Sequence, residues 1–235
     1  MIMDGNGRWA AARGLSRSAG HRAGVEAARR TVEAARDLGL RSLTLYSFST
    51  ENWRRPPGEV RDLMALLREF LGEDLPTLKK NKVRVRVIGD RKNLDRELRL
   101  LVDQAERQTA DNDAFLLQIA FNYGGRNEIA RAAARLAEAV AAGAVKPSEV
   151  DEATLAQYLD TAGVRDPDLV IRTSGEKRVS NFLLWQAAYA EYVFTDVLWP
   201  DFSGVELAAA VREFALRDRR YGGLSEDAET AAGGS

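Results

Sequence analysis

"FLLQIAFNYGGRNEIARAAARLAEAVAAG", Phe115 to Gly143, changes its period part-way along. Phe115 to Tyr123 is an apolar run of strand length, whereas beyond the two glycines alanine, leucine and valine recur at helical spacing until Gly143 stops them. A strand running through glycines into a helix is the repeating unit of a parallel α/β sheet. The same alternation continues on both sides. "SLTLYSF" at Ser42 to Phe48, "VRVRVIG" at Val83 to Gly89 and "DLVIRT" at Asp168 to Thr173 read as further strands. The helical patterns "HRAGVEAARRTVEAARDLGL", "PGEVRDLMALLREFLGEDLPTLKKN" and "LDRELRLLVDQAERQTAD" fall between them. The expected fold is therefore α/β, a single domain with a central, mostly parallel sheet and helices on both faces.

Composition narrows the chemistry. At 235 residues the chain is long enough for one substantial core. Lys and Arg total 34 against 35 Asp and Glu, a net charge of -1, so no global field points to nucleic acid or to an anionic membrane surface. Any anion site must be local. Without cysteine, disulfides and thiolate chemistry are excluded, and a metal would rest on oxygen ligands or on the lone His21, which favours Mg²⁺. No apolar run approaches the roughly 20 residues of a membrane span, and no signal-peptide pattern follows Met1, so a cytoplasmic protein is expected. The stretch "SEDAETAAGGS", Ser225 to Ser235, is acidic and aperiodic and reads as a disordered tail after a domain spanning 1–224.

In sheets of this kind ligands gather beyond the carboxyl ends of the strands. Four such turns stand out: "DGNGRW" after Met3, "STENWRRP" after Phe48, "GGRNE" after Tyr123 and "RTSGEKRVSN" after Ile171. Each carries arginine beside hydroxyl, amide or glycine residues, and together they would build an anion site. "GNGRWA" also fits a relaxed dinucleotide pattern, but the strand before it is too short and no acid ends the next strand, which disfavours nicotinamide. Diphosphate remains: glycines admit backbone N–H groups, and Arg8 adds a donor fork. Asp4 beside such a site would be repulsive unless a cation lay between them, and Mg²⁺ takes one or two carboxylates together with phosphate oxygens. An Asx-type turn capping a helix explains an isolated D-G-N-G equally well, so at this level both readings stay open.

Trp53 lies in a polar loop, where an indole has reason to sit if it covers a site. Arg172, Arg178 and Ser180 surround a glycine turn suited to a second anion. Glu191, in "AYAEYVF", is a carboxylate among apolar neighbours and needs a partner cation. Along the helix from Glu59 to Leu78, Val60, Leu63, Met64, Leu67 and Leu71 form one stripe, which Leu66 and Phe70 widen beyond what a single sheet contact requires. A second helix, a subunit interface or the wall of an apolar cavity would each use that width.

Taken together, "MDGNGRWA", "GHRAG", "LTLYSFSTENWRRP", "FNYGGRNEI", "DLVIRTSGEKRVSNFLLWQAAYAEYVFTDVLWPDF" and "RRYGG" closely resemble the cis-prenyltransferase family, whose bacterial type is undecaprenyl diphosphate synthase. The resemblance runs from Ile2 to about Gly223. It implies a homodimeric, Mg²⁺-dependent enzyme that extends an allylic diphosphate, usually farnesyl diphosphate, with isopentenyl diphosphate units. It also implies peripheral membrane contact for product release. Residue by residue, it makes Asp4 the essential metal-holding acid, with Glu191 as the second metal-linked carboxylate. Gly5, Asn6, Gly7, Arg8, Arg17 and His21 would surround the allylic diphosphate, with Trp9, Ser49, Thr50, Glu51, Trp53 and Arg55 extending that site. Arg172, Arg178, Val179 and Ser180 would take isopentenyl diphosphate, joined across the dimer by Arg220 and Gly222.

Family descriptions give the proton acceptor's role to Asn52, yet a neutral amide is a weak base and orientation of substrate suits it better. An apolar tunnel would be lined by Ser47, Leu63, Met64, Leu67, Phe70, Val83, Val85 and Phe115. The small Ser47 favours a long product, whereas Phe115 is bulkier than the family's usual residue near the tunnel floor and would shorten it. Ser174 stands where the family usually has the first of two glycines, a change expected to be tolerated. The D-D-x-x-D motif of trans-type synthases is absent. A short- or medium-chain Z-prenyl synthase is the alternative enzyme. A non-catalytic partner subunit is the alternative of another kind, disfavoured because Asp4, Arg8 and Arg178 are all present.

Overall fold

In a computed structural model that describes residues 1–217, the predicted strands form in place. They are β1 (Ser42–Ser49), β2 (Val83–Ile88), β3 (Phe115–Tyr123) and β4 (Leu169–Arg172). A fifth, β5 (Glu191–Phe194), lies in the stretch that the sequence marked only by its carboxylate. Arg220, Gly222 and the segment Ser225 to Ser235 lie outside the described residues.

β3 is central to one half of the sheet, pairing in parallel with β1 and β2, and β4 pairs in parallel with β5. The chain's first residues join the two halves. Ile2 bridges Tyr46 on one side and Arg172 on the other, donating its N–H to Ile171 O at 2.8 Å while Tyr46 N–H reaches Met1 O at 2.9 Å. The spatial order is thus β2, β3, β1, Met1–Ile2, β4, β5, all parallel. That arrangement brings Asp4, Ser49 and Arg172 to one edge.

The helices are α1 (Asn6–Ala11), α2 (Arg17–Asp37), α3 (Pro57–Lys80), α4 (Arg96–Gln108), α5 (Gly125–Ala141), α6 (Glu152–Ala156) and α7 (Gly204–Ala215). The main core joins α2, α3, α4 and α7 to one face of the sheet, through residues such as Ala27, Leu71, Leu98 and Leu207 against Leu45, Val85 and Leu117. A smaller cluster on the other strand positions gathers Tyr46, Ala120, Phe182 and Leu183. α5 is tied in beside it through buried Glu128, whose carboxylate accepts from Tyr123 Oη and Gln186 Nε2. Burial pushes the Glu128 pKa up in spite of those donors.

Two glycines in the first motifs have steric work. Gly5 has φ +110°, and a Cβ there would sit 2.9 Å from Leu198 Cδ2. At Gly20 a Cβ would lie 2.2 Å from Asn6 O, so only glycine lets α2 pass this close to α1.

Candidate functional site

A cavity of about 760 Å³ opens at the shared strand edge, between α2 and α3. Three of the four predicted turns reach it: Asp4 to Arg8, the residues after β1 and the residues after β4. The turn after β3 stands behind it as a buttress. There Gly125 N–H donates to Asn181 O at 2.7 Å and Arg126 N–H to Asn181 Oδ1 at 2.9 Å, which fixes Asn181 in the wall.

On the β4 side, Arg172 is buried and its fork spans two turns. Nη2 donates to Asp4 Oδ2 at 2.8 Å, and Nη1 donates to Arg178 O and Ser180 Oγ. Its Nε is buried without a partner. Asp4 Oδ1 accepts from Gly5 N–H at 2.7 Å. The carboxylate is therefore held from both sides while it faces the cavity. Arg8 grips Ser174 twice, with Nη2 on Oγ at 2.6 Å and Nη1 on the carbonyl at 3.1 Å. Ser174 adopts φ 76°, and Ser180 and Asn181 are also left-handed at 47° and 64°. Non-glycine residues in that region cost of order 1–3 kcal/mol each and collect at functional sites.

On the helix side, one carboxylate organises the cations. Glu59, in the first turn of α3, accepts from Arg55 Nη1 at 2.8 Å, Arg17 Nη1 at 3.1 Å and His21 Nε2 at 3.2 Å. Burial pushes the Glu59 pKa up, but Arg17, Arg55 and His21 together hold it below the usual value. Burial pushes the His21 pKa down against the pull of Glu59, and the ring lies between Glu59 and Asn6, with Nε2 toward Glu59 and Nδ1 3.4 Å from Asn6 Nδ2. The deeper wall is apolar, with Val25, Ala28, Leu45, Leu63, Leu66, Leu67, Phe70 and Ile119. One end of the cavity is thus cationic and hydrogen-bonding, and the other is hydrocarbon.

Of the expected residues, Asp4, Gly5, Asn6, Gly7, Arg8, Arg17, His21, Ser47, Ser49, Glu51, Asn52, Arg55, Leu63, Leu67, Phe70, Arg172, Arg178 and Ser180 line this cavity. Others stand elsewhere, for physical reasons. Trp9 Nε1 donates to Asp201 Oδ1 at 2.6 Å and Arg13 stacks on the ring, so this indole anchors α1 to the segment after β5. Trp53 packs edge-on against Phe48 and donates to Asn122 Oδ1 at 2.7 Å, pinning the turn after β1 to the end of β3. Thr50 packs on Gly124, where a Cβ would lie 2.6 Å from its Oγ1. Val179 is outside the lining, and its carbonyl accepts from Phe182 N–H. Met64, Val83, Val85 and Phe115 are buried in the main core and do not line the cavity. Glu191 opens β5, where its Oε2 accepts from Arg217 at 2.8 Å; within one chain it does not share the cavity with Asp4.

Glu59, Asn181 and Trp199 line the cavity without having been singled out. An acid in a helix's first turn, four residues after Arg55, was the visible signal for Glu59. Asn52 shows what its amide can do: its Oδ1 already accepts Ser49 N–H at 3.0 Å, which leaves the NH₂ group as a donor and removes its best claim to be a base.

Comparison with known proteins fits this geometry. A family model described as "Putative undecaprenyl diphosphate synthase" matches residues 2–222. The chain belongs to that family, the cis-prenyltransferases. It is 55% identical to isoprenyl transferase 2 of Bradyrhizobium diazoefficiens, over 95% of this chain and 89% of that protein. It is 54% identical to the isoprenyl transferase of Caulobacter vibrioides, over 99% of this chain and 90% of that one. Lavandulyl diphosphate synthase from Lavandula x intermedia, solved in complex with dimethylallyl diphosphate, superposes with a TM-score of 0.91 at 36% identity, covering 94% of this chain and 95% of that one. A probable undecaprenyl diphosphate synthase from Campylobacter jejuni gives 0.75 at 36% identity, covering 85% and 92%. The molecule is therefore a prenyltransferase enzyme of the cis-prenyltransferase fold. Among the described residues, no helix is long and apolar enough to cross a membrane.

Proposed function

We propose that this cis-prenyltransferase adds isopentenyl diphosphate to an allylic diphosphate, with farnesyl diphosphate as primer and an undecaprenyl-length Z-polyprenyl diphosphate as product, for use as a cell-wall lipid carrier. The observation that carries the reading is the two-ended cavity, cationic at its mouth and hydrocarbon in its depth. A diphosphate fits one end and an isoprenoid tail the other. Arg8, Arg17, Arg55 and His21 take the allylic diphosphate. Arg172, Arg178 and Ser180 take the isopentenyl diphosphate.

Asp4 fits a Mg²⁺ site and would hold the ion beside the diphosphate. Its carboxylate faces the cavity, and among the described residues no group of three or more acids or imidazoles forms a closed metal cage. When bound, the ion would supply positive charge to the departing diphosphate. The chain's own residues do the rest. Arg8 and the α2–α3 cations stabilise the charge that develops as the allylic C–O bond breaks. C1 of the allyl then bonds to C4 of the isopentenyl unit, and C2 of that unit loses a proton. Asn52 orients the isopentenyl group through its NH₂, and the proton passes to a diphosphate oxygen or to water. The apolar wall from Leu63 to Phe70 keeps water from the allylic cation.

A homodimer through the exposed β5 edge suits the apolar Phe194 exposed there. We place the enzyme in the cytoplasm, with transient membrane contact for product release. A short- or medium-chain product is the second reading, because Phe70 sets a large ring in the apolar part of the lining. Incubation with farnesyl diphosphate, labelled isopentenyl diphosphate and Mg²⁺, followed by chromatographic sizing of products, tests both. Products near eleven isoprene units support the main reading, and elongated products of four to ten the second. Absence of any elongation at every Mg²⁺ concentration refutes the catalytic proposal.

A further inference from the structure

We infer that Glu59 is a positioning residue that holds Arg17, Arg55 and His21 ready for the allylic diphosphate and sets the affinity for that substrate alone. This rests on the functional reading above. Its observation is a single, largely buried carboxylate on α3 shared by three donors, two from α2 and one from the turn before α3.

Arg17 and His21 lie on one side of α2, and Arg55 precedes α3 by one turn. Glu59 is the acceptor on which all three converge. Its side chain is only 9% exposed, whereas those of Arg17 and Arg55 are 62% and 38% exposed. The arginines are therefore free to swing into solvent if the acceptor is removed. Glu59 engages only one terminal nitrogen of each guanidinium, Nη1 in both cases, which leaves the other N–H groups of both forks available to a second anion. A carboxylate that competed with substrate would occupy the donors that substrate needs. This one takes one terminal nitrogen of each fork and spares the others.

Anchoring lowers the entropy that each arginine must lose on binding, a general route from preorganisation to affinity. The acceptor also fixes the imidazole tautomer of His21, since a carboxylate only accepts and Nε2 must carry the hydrogen. The isopentenyl side is built on Arg172, which donates to Asp4, Arg178 O and Ser180 rather than to Glu59 or its partners, and it should not register the loss of this cluster.

The test uses the full chain with three variants, Glu59→Gln, Glu59→Asp and Glu59→Ala. Equilibrium binding of farnesyl diphosphate is measured in the absence of isopentenyl diphosphate, and KM for each substrate is measured during turnover. Glu59→Gln is expected to weaken farnesyl diphosphate binding about tenfold while the KM for isopentenyl diphosphate stays within about twofold. Glu59→Asp, which keeps the charge on a shorter arm, should fall between Gln and wild type. Tighter binding in Glu59→Gln would mean that the carboxylate competes with substrate, and equal weakening for both substrates would mean a merely structural role. Either result overturns the inference. If the wild-type protein itself neither binds nor elongates farnesyl diphosphate, the proposed function fails first, and the two failures are told apart by that control.

Discussion

Removing the Asp4 carboxylate should destabilise the protein before any substrate is present. Arg172 is 4% exposed, and among the described residues its counter-charge within ion-pair distance is Asp4, with Oδ2 at 2.8 Å. Breaking a fully buried pair costs about 3–5 kcal/mol because a charge is left uncompensated. Here Asp4 is a third exposed, and Arg172 keeps Arg178 O and Ser180 Oγ as acceptors, which places Asp4→Ala at the lower end, about 3 kcal/mol. In a domain of this size each kcal/mol moves Tm by about 2–4 °C, so the expected fall is about 6–12 °C. Asp4→Asn keeps an oxygen acceptor and should lose about half as much. The assay is thermal unfolding in chelator, without diphosphates, so that a metal role for Asp4 cannot contribute. Turnover measured well below the lowered Tm should then fall by a larger factor than the unfolded fraction explains. An unchanged Tm for Asp4→Ala would refute the assignment of Asp4 as the counter-charge of Arg172.

Three further outcomes follow from the same contacts. Phe70→Ala should lengthen the products on chromatographic sizing, whereas Phe115→Ala should leave their length alone and cost about 3–5 kcal/mol in urea unfolding, as a core truncation does. Trp53→Phe keeps the ring against Phe48 but loses the donor to Asn122, so it should cost about 1 kcal/mol in the same assay. Burial raises the Glu128 pKa in the folded state, so across the window from the ordinary carboxylate value up to that raised value the native protein binds more protons than the unfolded chain. Unfolding free energy should therefore fall as pH rises through that window, and Glu128→Gln should flatten the slope in urea titrations at a series of pH values.

The sheet was legible where the chain repeats a strand-to-helix change of period. β1 to β3 are runs of Val, Ile, Leu and Phe bounded by turn residues, and each formed where the pattern put it. β5 was not legible because it is only four residues long, begins with an acid and is held by pairing to β4 rather than by any pattern of its own. The turns that supply Asp4, Arg8 and Arg172 could be found by composition, since strand ends in such folds face one edge. Glu59 could not be tied to Arg17 and His21, which lie 42 and 38 residues away and meet it only through the packing of α2 on α3. An indole in a polar loop suggests a cover for ligand, but its N–H must also find an acceptor, and Trp53 finds one in Asn122, at the end of β3 and outside the cavity lining, which the loop's composition could not show.

Because Ile2 pairs with both Tyr46 and Arg172, the segment around Ile2 must wait for Arg172 to be synthesised before its slot exists. Closing that seam brings together residues about 170 positions apart, the kind of non-local pairing that slows folding. The same event aligns Asp4 with Arg172. Catalytic competence in a nascent chain should therefore arrive in one late step, when this seam closes, rather than build up strand by strand.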